Sequence, residues 1–151
     1  MDPSHQSFLI EDDEERIAQL VRGARRVAVL GIKTEAHAGQ PSFYVPQYLA
    51  QAGVEVIPVP VYFPDVETIL GKKVYRKVSE IPGNPVDIVD VFRRPQDIDH
   101  HVDDLIAARP NAVWFQLGIR NDEAAAKLAS AGILVVQDRC LMVEHRRYAQ
   151  G

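Results

Sequence analysis

Apolar residues recur along this chain in two alternating rhythms: short continuous runs, and stretches in which they return every three or four positions. The first helical stretch is EDDEERIAQLVRGA, residues 11 to 24, where Ile17, Leu20 and Val21 share a face. Acids crowd its first turn, where the helix dipole favours them, so a helix packed outside the main sheet is predicted. RVAVLG, starting at Arg26, is a run ending in glycine, the pattern of a strand buried on both faces. Ser42 is placed to cap the next helix, with Val45, Leu49 and Ala52 inward, Pro46 in its first turn and Gly53 at its end. VEVIPV, residues 54 to 59, predicts a second strand whose end Pro58 and Pro60 confine to loop geometry. Residues 62 to 85 are less regular: LGKKVY suggests a short turn and SEIPGNP a capped one. VDIVDVF, residues 86 to 92, is a third strand. A helix follows from near Pro95, with Ile98, Val102, Leu105 and Ile106 inward. AVWFQLG is a fourth strand, NDEAAAKLASAG a helix capped by Asn121 and closed by Gly132, and ILVVQ a fifth strand.

Strands alternating with helices at this spacing predict an α/β fold: one Rossmann-like, doubly wound parallel sheet of about five strands in the order 3-2-1-4-5, with an extra N-terminal helix. Residues 1–151 form one domain in this reading, with residues 1–10 flexible. In that order the connections reverse between the first and fourth strands, so the loops after Gly31 and after Gln116 are expected to face each other across a ligand crevice.

Composition narrows the guests. The 151 residues are 46% hydrophobic and 25% charged, enough for one buried core. A net charge of -4 without basic clusters argues against a nucleic-acid surface. No apolar run approaches the roughly 20 residues that span a bilayer. The start, MDPSHQSFLIEDDEER, is acidic rather than a basic-then-apolar signal, so a soluble cytoplasmic protein without membrane partners is expected. Cys140 is the single cysteine, which excludes an internal disulfide and a cysteine-based zinc site.

The loop-helix from Gly31 to Tyr44 offers backbone N–H groups and a helix N-terminus to an anion, with phosphate the natural guest. The dinucleotide fingerprint is incomplete, because Lys33 and Thr34 stand where further glycines would begin and Gly39 is too distant. VIPVPVYF, at the second strand's end, has no acid for ribose hydroxyls before Asp65 and no base for a 2′-phosphate. A standard NAD or NADP mode is therefore disfavoured. Phe92, Arg93 and Arg94 close the third strand, where a ring can stack a base and guanidinium groups can pair with phosphate. Gln116 and Gly118 are on the opposite wall, where the glycine either allows close backbone approach to a ligand or simply makes the strand-to-helix turn, and Arg120 is expected at the surface.

The segments VAVLG, PSFYVPQYL, DIVDVFRRP, VWFQLGI with NDEAA, and DRC followed by Glu144 together resemble the small stand-alone CoA-binding proteins, which are related to the CoA-binding domain of succinyl-CoA synthetase alpha subunits. The resemblance covers residues 14 to 148 and implies coenzyme A, or an acyl-CoA, as the cofactor. It implies that Gly31, Ile32 and Lys33, with Ser42 and Tyr44, surround the pyrophosphate. Val59 and Pro60 would line the adenosine end, and Phe92, Arg93 and Arg94 the adenine and pantetheine side. Gln116 and Gly118 would complete the wall. Members commonly carry a basic residue just before the Pro-Ser pair; this chain has Gln40 there, which leaves Lys33 and the arginines to compensate. Protein and ligand are both negative, but at a screening length of roughly 8 Å the local cations decide.

No catalytic constellation emerges beside this crevice. The phosphorylated histidine of succinyl-CoA synthetase-like catalysis comes from another domain, and His5, His37, His100, His101 and His145 read as surface residues. His100 and His101 diverge by about 100° on a helix and seldom share one ion. Cys140, beside Arg139, reads either as a structural cysteine or as a thiol poised for a mixed disulfide with CoA. Asp138 and Arg139 read either as an ion pair anchoring the tail, the favoured role, or as ligand contacts. Asp87 and Asp90 face opposite sides of their strand, which excludes a converging acid pair. A non-catalytic CoA-binding protein is the leading expectation. An NAD(P)-linked oxidoreductase with an atypical loop and a ligand-free interaction domain are the alternatives. The sequence names no protein partner, and a homodimer through exposed sheet edges is compatible with it.

Overall fold

A computed structural model describes residues 3–149, with side-chain surroundings from residue 6 onward. After a 3-10 turn at Pro3–Phe8 the chain forms β1 (Leu9–Ile10), α1 (Glu14–Arg22), β2 (Arg26–Leu30), α2 (Pro41–Gln51) and β3 (Glu55–Val59). A two-stranded hairpin follows, β4 (Thr68–Ile69) with β5 (Lys72–Lys73), turned through Leu70 and Gly71, which both have positive φ. Then come β6 (Ile88–Val91), a 3-10 turn at Pro95–His101 running into α3 (Val102–Ala108), β7 (Ala112–Phe115), α4 (Asp122–Ser130), β8 (Leu134–Val136) and α5 (Leu141–Tyr148).

The main sheet has six strands in the order β1-β8-β7-β6-β2-β3, with parallel pairing at each junction. The five expected strands therefore stand in the order 2-1-3-4-5 rather than 3-2-1-4-5. The edge strand β1 extends the sheet beyond β8. Strand length and hydrophobicity are alike in the two orders; what separates them is which neighbour the third strand reaches. Here Val27 to Leu30 of β2 lie in register with Ile88 to Val91 of β6.

Helices cover both faces of the sheet. Ile17 and Val21 of α1, Phe43, Val45 and Leu49 of α2 and Leu141 of α5 pack on Val27, Val29, Ile88 and Trp114. On the other face, Val102 and Leu105 of α3 and Ala124, Ala125 and Leu128 of α4 pack on Leu30, Val89, Val91, Val113 and Phe115. Each large aliphatic side chain buried this way stabilises the fold by about 1.5–3 kcal/mol. Trp114, fully buried, donates its indole N–H to the Arg139 carbonyl at 2.8 Å, so its polar edge is satisfied inside the core.

Several local expectations are corrected. Helix α2 starts at Pro41, so Ser42 is a buried residue of the first turn, while Gln40 takes the cap position without a side-chain capping bond. Pro46 lies in the second turn of α2. Lacking an N–H, it leaves the Ser42 carbonyl without its helical donor, and the Lys33 N–H takes that place at 3.1 Å. Pro58 does not end its strand: it lies within β3, the sheet's edge, where a missing donor is tolerated.

Candidate functional site

Strands β2 and β6 are neighbours, yet the chain leaves β2 for α2 on one face and β6 for α3 on the other. Their carboxyl ends therefore open into a crevice at a topological switch point. The walls are the loops after Leu30 and after Val91; Gln116 and Gly118 lie one strand further along, because β6 separates β7 from β2. The expected opposition of the Gly31 and Gln116 loops is thus replaced by that of Gly31 with Phe92 and Arg93.

Gly31 has φ +87°, and a Cβ there would meet the Phe92 carbonyl oxygen at 2.3 Å. The glycine is required by the close approach of the protein's own backbone at this rim. The same position lies 3.4 Å from Cδ of Arg93, so the Arg93 side chain passes directly over Gly31. Ile32 sends its side chain into the core, 1% exposed, leaving only its backbone for a ligand. Lys33 is held by its amide on Ser42 and by its ammonium, which donates to Oε1 of Gln40. Among the described residues Lys33 pairs with no carboxylate, so Gln40 orients this cation without neutralising it. Tyr44 is exposed on the first turn of α2.

The arginines differ. Arg93 is largely buried: its Nε donates to Nε2 of His101 at 3.2 Å, one Nη donates to the Tyr62 hydroxyl at 3.3 Å, and the other lies 3.9 Å from Asp97. Arg94 pairs with Asp97 at 2.8 Å while its side chain remains 71% exposed. This pairing raises the guanidinium's pKa and lowers that of the Asp97 carboxyl. Burial, with the Arg93 charge alongside, lowers the His101 pKa, in keeping with a neutral ring that accepts from Arg93. Phe92 packs against the core beneath the rim. Val59 and Pro60 are buried as well. Gln116 is turned inward and accepts from the Leu141 N–H, and the Gly118 N–H donates to Asp138 at 2.7 Å.

Other expectations on single residues change. Asp138 and Arg139 have separate partners: Arg139 reaches Glu14 at 2.6 Å and Glu144 at 3.1 Å. His145, 7% exposed, bonds the Tyr48 hydroxyl at 2.9 Å, and burial lowers its pKa; it is a core histidine. His101 is half-buried and bonded to Arg93, whereas His100 is exposed. The surroundings of His5 lie outside the described residues. Asp87 accepts from the Arg25 and Arg26 amides at 2.8 and 2.9 Å, at the amino end of β6. Asp90 is wholly buried, and neither of its oxygens has a partner among the described residues. No group of three or more potential metal ligands occurs among them, nor is any helix long and apolar enough to cross a membrane.

Two aromatic residues escaped the sequence reading. Tyr62 and Phe63, just beyond β3, lie beside this crevice: Tyr62 carries Arg93 over its ring at 5.6 Å, and Phe63 packs on His37 at 5.3 Å. Their signal was the pair of aromatics inside VPVYFPD, where the end of β3 meets the crevice. A cavity of about 810 Å³ is lined by Leu20, Ile106, Pro110, Ile133 and Leu134 among others. It sits at the amino ends of β7 and β8, away from the switch point.

Comparison with known proteins places the chain in a family. A family model described as a CoA binding domain matches residues 25–146. The uncharacterized protein YneT of Bacillus subtilis (strain 168) is 32% identical over 129 residues, covering 85% of this chain and 91% of YneT. The structure of cell-free ID.343 from Thermus thermophilus is 38% identical with a TM-score of 0.81, covering 90% of this chain and 98% of that one. The fold also recurs, at 19% identity and a TM-score of 0.64, in a dinucleotide-forming acetyl-coenzyme A synthetase of Ca. Korarchaeum cryptofilum, across 78% of this chain and 26% of that enzyme.

Proposed function

This chain belongs to the CoA-binding domain family, and from that premise we propose that it is a non-catalytic protein that binds coenzyme A, or an acyl-CoA, at the crevice between β2 and β6. The observation that carries the reading is Lys33. A cation oriented by a neutral amide, on a loop pinned to the first turn of α2, stands ready for an anion at the switch point. In this reading Lys33 and the first turn of α2 hold the pyrophosphate, and the exposed Arg94 guanidinium adds a second cation at the rim. The backbone from Gly31 to Lys33 forms the floor. Gln116 holds α5 through Leu141 and supports the wall rather than touching ligand. The non-catalytic part is supported by the hydrogen bonds that engage His101 with Arg93 and His145 with Tyr48.

Thermal denaturation with CoA, dephospho-CoA, NAD and NADP at equal concentration tests the ligand. A ligand at about 100 times its dissociation constant adds roughly 2.7 kcal/mol, several degrees for a domain of this size. Stabilisation by CoA and not by the nicotinamide dinucleotides is expected, with the shift reduced in Lys33→Ala. A flat response to CoA would remove the reading. Turnover assays with acyl-CoA substrates address catalysis separately.

A further inference from the structure

Val59 and Pro60, which the family resemblance assigns to the adenosine end, are buried, while two residues further on the chain presents Tyr62 with 60% of its surface open. The loop that carries Tyr62 is held in place with unusual thoroughness. The Arg76 guanidinium donates to the carbonyl oxygens of Tyr62, Phe63, Pro64 and Val66 at 2.9 to 3.3 Å, so one side chain collects the loop's backbone acceptors. Phe63 has φ +65°, a conformation that a bulky residue adopts only under constraint, at about 1–3 kcal/mol. From the β2 side, His37 packs on Phe63, and Glu35 accepts from the Leu70 amide. The loops after β2 and β3 are thereby joined. The Tyr62 ring meets Phe63 edge-on and carries the Arg93 guanidinium over it.

We propose that Tyr62 is a stacking shelf for the adenine base of the bound nucleotide. The proposal rests on the CoA reading above and assigns the part of the ligand that this reading leaves without a contact. A flat ring backed by a cation and held through its backbone by Arg76 binds a flat π-system with little loss of freedom. The backbone of the shelf leaves β3, on the far side of β2 from β6, and its ring reaches Arg93 at the rim of the crevice. A ligand with its diphosphate at Lys33 therefore meets it with the end that extends outward from the crevice. Arg93 has a supporting role here: His101, Asp97 and the Tyr62 hydroxyl hold its fork, which braces the ring.

The test compares wild type, Tyr62→Leu and Tyr62→Phe, titrated with coenzyme A and with 1,N6-etheno-CoA, whose modified adenine loses fluorescence on stacking. Tyr62 is mostly exposed and Arg76 grips backbone oxygens, so both variants keep the loop; unchanged circular dichroism and thermal midpoint confirm it. Tyr62→Leu is expected to weaken CoA about tenfold or more, the scale of one base–aromatic stack, and to abolish the quench. Tyr62→Phe keeps the ring, and with it affinity within about twofold and the quench. Equal affinity in Tyr62→Leu, a quench that survives the loss of the ring, or an unquenched wild-type complex would overturn the shelf while leaving CoA binding intact. A wild-type protein that binds no CoA would overturn the functional reading and the shelf together.

Discussion

Asp90 sits in β6 between Val29 and Trp114, inside the layer roofed by α1, α2 and α5, with both carboxylate oxygens unpartnered. Burial pushes its pKa well above the ordinary 3.8, because an ion here would lose its hydration and gain nothing in return. The folded protein therefore keeps this proton at pH values where the unfolded chain releases it. Below about pH 4 both states hold the proton and the difference vanishes. Above it, folding loses about 1.4 kcal/mol per pH unit until the folded pKa is reached. Replacing the acid with an apolar residue removes that dependence. Asp90→Val is expected to be more stable than wild type at pH 8 in urea denaturation, with the gap shrinking toward pH 4. A gap that stays constant across this range would mean that Asp90 is ionised in the fold.

At the scale of elements, the rim depends on how closely β2 and β6 approach. The Phe92 N–H donates to the Leu30 carbonyl at 2.9 Å, and the Phe92 carbonyl then occupies the place where a Gly31 side chain would start. Gly31→Ala places a methyl against backbone that cannot step aside, on top of an unfavourable positive φ. A loss of at least about 2 kcal/mol in urea denaturation is expected. A near-neutral Gly31→Ala would show that the two strand ends separate easily. The same closeness decides what lies over the rim: Arg93 crosses Gly31 because no side chain is there to deflect it.

Across the whole molecule, the two ends of the chain are tied by charge. Glu14, at the start of α1, accepts from Arg139 and from the Tyr148 hydroxyl, while Arg139 and Arg147 share the buried Glu144 of α5. These contacts, the Arg139 hydrogen bond foremost, hold the Glu14 pKa at about 2, down from 4.5. A lowered acid pKa stabilises the fold above the unfolded value, and that contribution disappears as pH falls through the folded one. Glu14→Gln is expected to melt below wild type at pH 7, the difference narrowing as pH falls from about 4.5 toward 2. An equal deficit throughout would assign the effect to packing rather than charge.

The hydrophobic rhythm by itself determined the alternation of strands and helices, because burial on two faces and burial on one stripe leave different periods in a chain. Asn121 as the cap of α4, and the glycine and cationic Lys33 after the first strand, were legible for the same local reason. The motifs at the strand ends carried the family. Strand order was decided only in three dimensions, since pairing between β2 and β6 is a choice between similarly apolar strands whose paired residues are 61 positions apart in the chain. That one choice moved Gln116 off the opposite wall and set Phe92 and Arg93 beside Gly31. The isolation of Asp90, the commitment of His101 and His145, and the shelf formed by Tyr62 likewise depend on what stands next to each residue in space, information that no local spacing holds.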